Sequence, residues 1–183
     1  WDIADSLNGI CDKLVDRHPH IYGDVEANDE ETVKANWEQL KLKEGKKSVL
    51  EGVPNGLPSL VKAYRMQDKV RGVGFDWDNE HQVWDKVEEE LAEFKAELDV
   101  DAERATDEFG DVLFALVNFA RFKDINPDEA LERTNRRFRN RFQYMENEIR
   151  KGGGKSLAEM TLAEMNVHWN AAKKALAKDE MRP

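Results

Sequence analysis

Five acidic residues in two short patterns carry the chemistry this chain is best equipped for: Glu89-Glu90-x-x-Glu93 and, fifteen residues further on, Glu108-x-x-Asp111. Glu90 and Glu93, like Glu108 and Asp111, are three residues apart, which on an α-helix sets both carboxylates of a pair on one face. A short Asp99-Val100-Asp101 turn would fold the second pair back towards the first. Four acids drawn together near a core cannot all remain ionised without a partner, because burying an unpaired carboxylate is costly or shifts its pKa. A divalent cation is the natural partner, and oxygen-only donors select a hard one, Mg²⁺ or Mn²⁺, over zinc. Mg²⁺ held this way keeps positions open for water and phosphate oxygens. The rival di-iron site of helical bundles requires Glu-x-x-His pairs, and His18, His20, His81 and His168 supply none.

Two helices must position these acids. With Val87 as reference, Val83, Trp84, Leu91, Phe94 and Leu98 complete one apolar stripe at 100° per residue, and Glu90 and Glu93 fall on its flank. Glu88, Glu89 and Glu97 read as a solvated face. The next helix runs through Phe109, Val112, Leu113, Phe114, Ala115, Leu116, Val117, Phe119 and Ala120. It is apolar nearly all round, so residues 109–120 are expected to be buried, with Asp111 an anion inside that wall. Helix starts are signalled by Asp29, by Asp101, by Asn126 before Pro127, and by Thr161-Leu-Ala-Glu164, a capping-box pattern. Breaks fall at Gly52-Val-Pro-Asn-Gly56, Arg71-Gly-Val-Gly74 and Gly152-Gly153-Gly154. No alternating strand pattern of convincing length intervenes, and the expected fold class is all-α. Gly152-Gly153-Gly154-Lys155-Ser156 ends like a P-loop, but Ile149 stands where the first glycine is required and no strand precedes it, so a loop between helices is expected. His18-Pro-His20 has no further Cys or His at zinc spacing and reads as a turn.

Glu89-Glu90-x-x-Glu93, a spacer, and Glu108-Phe-Gly-Asp111 followed by Val-Leu-Phe-Ala-Leu-Val-Asn-Phe-Ala-Arg resemble the signature of MazG nucleoside triphosphate pyrophosphohydrolases, members of the all-α NTP pyrophosphatases. Leu57-Pro58-Ser59-Leu60, Gly74-Phe75-Asp76-Trp77 and Val83-Trp84-Asp85-Lys86-Val87 are similar to the family's approach to its first metal helix. Asn135-Arg136-Arg137-Phe138 and the helix of Trp169 are similar to its closing segments, so the resemblance covers essentially the whole chain. It implies a helical bundle in which Glu90, Glu93, Glu108 and Asp111 hold Mg²⁺, with Mn²⁺ as a substitute. It also implies hydrolysis of nucleoside triphosphates to monophosphate and pyrophosphate by water attack on the α-phosphorus, with Glu89 as a candidate base. Nothing in the spacing separates attack at α from attack at γ. No Ser-His or Cys-His pairing is evident, so a covalent intermediate is not expected.

Further substrate contacts have two readings each. Arg137 and Arg141, one turn apart, can fork onto phosphate oxygens, and the resemblance places their helix against the nucleotide. The other reading is a solvated basic face shared with Arg133, Arg136, Arg139 and Arg150. Lys86 and Arg104 precede Glu90 and Glu108 by one turn, and each either presents a cation to metal-bound phosphates or forms an i,i+4 ion pair. Trp169 is implied to contact the nucleotide or else packs in a core. Asn118 is either a hydrogen-bond donor behind the site or a satisfied buried amide. Competing functions are a sister pyrophosphatase acting on dUTP or phosphoribosyl-ATP, and a non-catalytic helical dimerisation or regulatory module.

The 183 residues suit one domain of ordinary size plus a smaller element. An internal echo identifies the smaller one: Lys13 and Arg17 followed by Trp37 in Asn-Trp-Glu-Gln-Leu-Lys mirror Arg137 and Arg141 followed by Trp169 in His-Trp-Asn-Ala-Ala-Lys. Many MazG proteins carry tandem domains, so residues 1–53 are expected to be the closing part of a first repeat whose acidic helices preceded Trp1. Residues 54–183 would be the complete catalytic domain. The net charge of −10 argues against a general nucleic-acid backbone binder, which needs a basic surface. No apolar run approaches the roughly 20 residues that span a bilayer, and the lone Cys11 fits a reducing compartment. The expected localisation is cytoplasmic. The near-continuous apolar helix, together with the habit of the family it resembles, implies a homodimer.

Overall fold

The computed structural model describes residues 2–16, 21, 48–153 and 155–180, and the regular structure among them is helical, without a strand. The α-helices are α1 (Ile3–Asp16), α2 (Ser59–Arg71), α3 (Glu80–Glu97), α4 (Ala102–Phe122), α5 (Pro127–Gly152) and α6 (Leu162–Glu180), with a 3₁₀ turn at Leu157–Glu159. They fall into two compact units, Trp1–Pro127 and Asp128–Pro183. Arg17, His18, His20, Asp29 and Trp37 lie outside the described residues.

Local chemistry sets the helix ends. Asn79 caps α3 by accepting the backbone N–H groups of His81 and Gln82 at 3.1 and 3.2 Å. Asp101 caps α4 in the same way, accepting from Glu103 and Arg104 at 2.9 and 3.2 Å, as its position predicts. Each such cap satisfies helix N–H groups that would otherwise be orphaned, and is worth about 1 kcal/mol. At the end of α2 the Phe75 N–H reaches the Val70 carbonyl and the Gly74 N–H that of Arg71. Gly74 has φ +85°, the left-handed conformation that this kind of helix stop requires and that glycine adopts without strain.

Only Leu98 to Asp101 separates α3 from α4, so the two helices pack as an antiparallel hairpin. Aromatic pairs fix the register. Phe94 meets Phe109 with ring centroids 5.3 Å apart, and ten residues back along α3 and ten forward along α4, Trp84 meets Phe119 edge-on at 4.9 Å. Val83 and Val87 are buried in the seam, where Ala105 and Ala115 keep the α4 surface low.

The apolar wall is less complete than its composition predicts. Val112, Ala115 and Val117 are buried, but Phe109, Leu113, Phe114 and Leu116 are each more than two-fifths exposed, and Asp111 is exposed instead of enclosed. Trp84 and Leu91 on α3, and Leu98 just after it, likewise leave the predicted stripe open to solvent. The reason is geometric: within this unit α3 and α2 are the helices that pack on α4, and two neighbours cannot cover the circumference of a helix.

Helix α5, which from Asp128 on belongs to the second unit, begins at Pro127, as the Asn-Pro signal predicts, and ends at Gly152. A helix, not a strand, therefore precedes the Gly-Gly-Gly-Lys-Ser segment. Thr161 and Glu164 form the expected reciprocal cap at the start of α6, with the Thr161 N–H donating to Glu164 at 2.7 Å and the Glu164 N–H to the Thr161 hydroxyl at 3.3 Å. Ser156 and Glu159 repeat the device around the 3₁₀ turn.

Candidate metal centre

The hairpin brings three of the four predicted metal ligands together. Carboxylate oxygens of Glu90 and Glu93 on α3 and of Glu108 on α4 lie within 4.8 Å of one another. Glu90 is 7 % exposed, Glu108 is intermediate and Glu93 is at the surface, so the cluster opens outwards from the buried seam. Asp111, one turn beyond Glu108, is not in that cluster but acts on it by charge. The pKa of Glu108 is raised, first by desolvation and then by the negative charges of Glu93, Asp111 and Glu90, against a smaller opposing effect from Arg104. Like charges held this close require a cation to be fully ionised together.

Lys86 answers part of that need. Its ammonium sits 2.8 Å from Glu89 and 2.8 Å from Glu90, and these hydrogen bonds push its pKa up. Of the two readings of Lys86, the structure therefore realises the ion pair on its own helix. Glu89, on the exposed side, is that lysine's other partner. Arg104 also forms an ion pair, but with Glu97 across the turn at 3.3 Å instead of with Glu108. The Glu93 and Glu108 carboxylates make no hydrogen bond or ion pair among the described residues.

Asn118 is half-buried, and its Oδ1 accepts from Arg121 Nε at 3.1 Å and Nη2 at 2.8 Å. Arg121, 5 % exposed, also pairs with Asp76 and lies over the Phe122 ring. Sequence reasoning left this arginine unassigned. The signal was there, in a cation set inside the apolar run Phe119-Ala120-Arg121-Phe122, which has to find a buried anion.

Within the second unit, Arg137 is exposed on α5 and donates to the Thr134 hydroxyl at 3.0 Å; Arg141 is intermediate. Trp169 packs against Phe138 at 5.3 Å between ring centroids, and Phe138 in turn stacks on Phe142 at 6.1 Å. Trp169 thus takes part in an aromatic cluster.

The donor set fits a hard divalent cation. All three clustered donors are carboxylates, at a separation one ion can bridge, and their mutual repulsion is what a +2 charge would relieve.

No family model matches the chain. Individual proteins do. It is 47 % identical over 183 residues to the Bacillus subtilis protein YabN, an alignment covering 94 % of this chain and 36 % of YabN. It is 38 % identical over 176 residues to the nucleoside triphosphate pyrophosphohydrolase/pyrophosphatase MazG of Thermotoga maritima, covering 94 % of this chain and 66 % of that protein. It is 36 % identical over 181 residues to the nucleoside triphosphate pyrophosphohydrolase of Escherichia coli K12, covering 95 % and 68 % respectively. The chain thus spans about a third of YabN and about two thirds of the other two.

Proposed function

The chain belongs to the MazG family, and from that membership we propose that it is a metal-dependent hydrolase converting nucleoside triphosphates to monophosphates and pyrophosphate. The observation that carries the reading is the carboxylate cluster of Glu90, Glu93 and Glu108 on the α3–α4 hairpin. These three, with Asp111 beside them, would hold Mg²⁺, for which Mn²⁺ can substitute. When bound, the ion supplies positive charge against the triphosphate and a lowered pKa for water.

The chain's own residues have the remaining tasks. Water oxygen bonds to the α-phosphorus while the bond from that phosphorus to the α,β-bridging oxygen breaks, and pyrophosphate leaves with the electron pair. Glu89, paired with Lys86 at the exposed edge of the cluster, takes the proton of the attacking water in this reading. Lys86 and Arg104 are mobile-ended cations next to the acids, able to exchange a carboxylate for a phosphate oxygen. Arg137 and Arg141 offer guanidinium groups for phosphate and Trp169 a contact for the nucleotide, as the family resemblance implies, and Asn118 is a hydrogen-bond donor behind the site.

The sequence echo of Lys13, Arg17 and Trp37 by Arg137, Arg141 and Trp169 supports a division into a repeat segment, residues 1–53, and a catalytic domain, residues 54–183. The open apolar faces of α3 and α4 support a homodimer, which light scattering on the purified chain tests directly. No helix among the described residues is long and apolar enough to cross a membrane, and the unpaired Cys11 supports a cytoplasmic setting. The test of the activity is chromatography of products from a nucleoside triphosphate panel, with dUTP and phosphoribosyl-ATP included, with and without Mg²⁺. Monophosphate plus pyrophosphate only with metal is the expected result; diphosphate plus phosphate would overturn attack at the α-position.

A further inference from the structure

The two cations that bracket the acidic cluster are held in different ways. On the side away from the α3–α4 turn, Lys86 pairs with Glu90, so it occupies a carboxylate that a metal ion would need. On the turn side, Arg104 pairs at 3.3 Å with Glu97, which is outside the cluster. Glu97 lies four residues beyond Glu93 on α3, and Arg104 four before Glu108 on α4. The pair therefore sits one helical turn, about 6 Å, beyond the acids. Arg104 is near enough to act on Glu108 by charge, against the effect of the neighbouring carboxylates.

Arg104 stands where a helix disfavours a cation. It is the third residue of α4, in a first turn whose free N–H groups carry partial positive charge and where anions are the stabilising residues. The Asp101 carboxylate is spent on the backbone there, accepting the Arg104 N–H as part of the cap. The guanidinium has to find its anion elsewhere, and it finds Glu97 across the turn. With the Arg104 side chain 65 % exposed, that pair is weak enough to be exchanged for another anion.

Its partner is fixed. The Glu97 side chain is 17 % exposed, and its Oε2 is buried without a hydrogen-bond partner, so Oε1 is the oxygen that meets Arg104. The Glu97 carbonyl accepts the N–H groups of Val100 and Asp101 at 3.0 and 3.1 Å, which ties the residue to the turn itself. A carboxylate left half-satisfied in this way opposes folding. What it holds is a cation on a flexible stem, one turn from the proposed reaction centre.

Resting on the pyrophosphohydrolase reading above, we infer that Glu97 is a positioning residue acting through Arg104: it holds the guanidinium beside the acids when no phosphate is bound, and draws it back from pyrophosphate after hydrolysis. Two anions compete for one cation. Each phosphate contact that Arg104 gains loses the Glu97 pair, so substrate and product are both bound less tightly than Arg104 alone would hold them, and product clears sooner. The exchange moves no proton, since the guanidinium stays charged throughout.

The test measures the dissociation constant of pyrophosphate by titration calorimetry with Mg²⁺ present, together with KM and kcat for the triphosphate of the panel above that the wild type cleaves best. The proteins are wild type, Glu97→Gln, Arg104→Met and the double variant; glutamine keeps the shape of Glu97 and removes its charge. In Glu97→Gln the pyrophosphate dissociation constant and KM should both fall about fivefold, the upper range for an exposed ion pair, with kcat not raised. Tightening is the informative sign, because damage to the fold weakens binding. With Arg104→Met as background, the same substitution should move neither constant by more than about twofold. Unchanged or weaker pyrophosphate binding in Glu97→Gln would overturn the inference and leave the hydrolase intact. Equal tightening with Arg104 absent would do the same, by showing a general relief of negative charge. A wild-type chain that cleaves no triphosphate would remove the hydrolase reading, and this inference with it. Should Glu97→Gln lose helicity, Glu97→Asp takes its place, withdrawing the charge by one methylene: a fall of at least about twofold in both constants supports the role, and wild-type constants in a folded Glu97→Asp overturn it.

Discussion

Two corners of the molecule gather glutamates and treat them in opposite ways. At the α5–α6 corner, Glu159 accepts from the Ser156 N–H and hydroxyl, both at 2.8 Å, and Glu164 accepts from the Thr161 N–H and from Lys155, both at 2.7 Å. Lys155, then the Thr161 donors, hold the Glu164 carboxyl down at about 2. At the α3–α4 corner, Glu93 and Glu108 face Glu90 with no side-chain donor among the described residues, and the Glu108 carboxyl is pushed up by desolvation and by its neighbours' charge. The first corner uses acids to define where helices begin. The second keeps acids in a state that opposes folding, which sequences maintain where the electrostatics serve a ligand.

The difference is sharpest when the same substitution is made at both. Glu90→Gln or Glu108→Gln is expected to lower pyrophosphate release by at least about 10²-fold, while a metal-free thermal melt of Glu108→Gln shows a midpoint no lower than wild type, because repulsion is removed. An active Glu90→Gln protein would break the metal assignment. Next in size is the metal itself. A ligand present at 100 times its dissociation constant stabilises the native state by about 2.7 kcal/mol, so Mg²⁺ should raise the melting midpoint of the wild type and leave that of Glu108→Gln in place. Equal shifts in both would move the ion elsewhere.

Most of this was legible from residue types and spacing, and the parts that were not share a cause. The caps at Asp101 and Thr161 depend on neighbours within four residues, and they sit where the patterns place them. The convergence of Glu90, Glu93 and Glu108 needed only two helices and a short turn. What the pattern overstated was enclosure: periodicity says which side of a helix is apolar, but not how many neighbours arrive to cover it. Hence Leu113 and Leu116 are open, and Asp111 stands outside the wall it was assigned to. Periodicity was equally silent on pairing. Arg104 goes to Glu97 and Arg121 to Asp76, choices set by three-dimensional approach across a turn and a loop.

The apolar seam beneath the acidic corner is the larger source of its stability, and that can be tested without touching an acid. Val87 is 1 % exposed between the two helices. Val87→Ala removes two methyl equivalents and leaves a partly collapsed void, for an expected loss of about 2 kcal/mol in chemical denaturation. A loss below about 0.5 kcal/mol would mean that the hairpin is secured by something other than this seam.

The smallest effect belongs to the satisfied corner and has a distinctive pH dependence. Glu164 has a folded pKa of about 2 against 4.5 for the free group. A carboxyl whose pKa is depressed by folding contributes stability that is fully present above its unfolded value and is lost as pH falls through the folded one. Glu164→Gln should therefore melt slightly below wild type at neutral pH, with the gap constant down to about pH 4.5 and closing towards about pH 2. Pyrophosphate release in this variant should be near that of wild type, the reverse of the pattern at Glu108. Paired melts across that window decide the matter: a gap that is the same at both ends would show that the glutamate acts through shape alone, and the contrast between the two corners would then not be electrostatic.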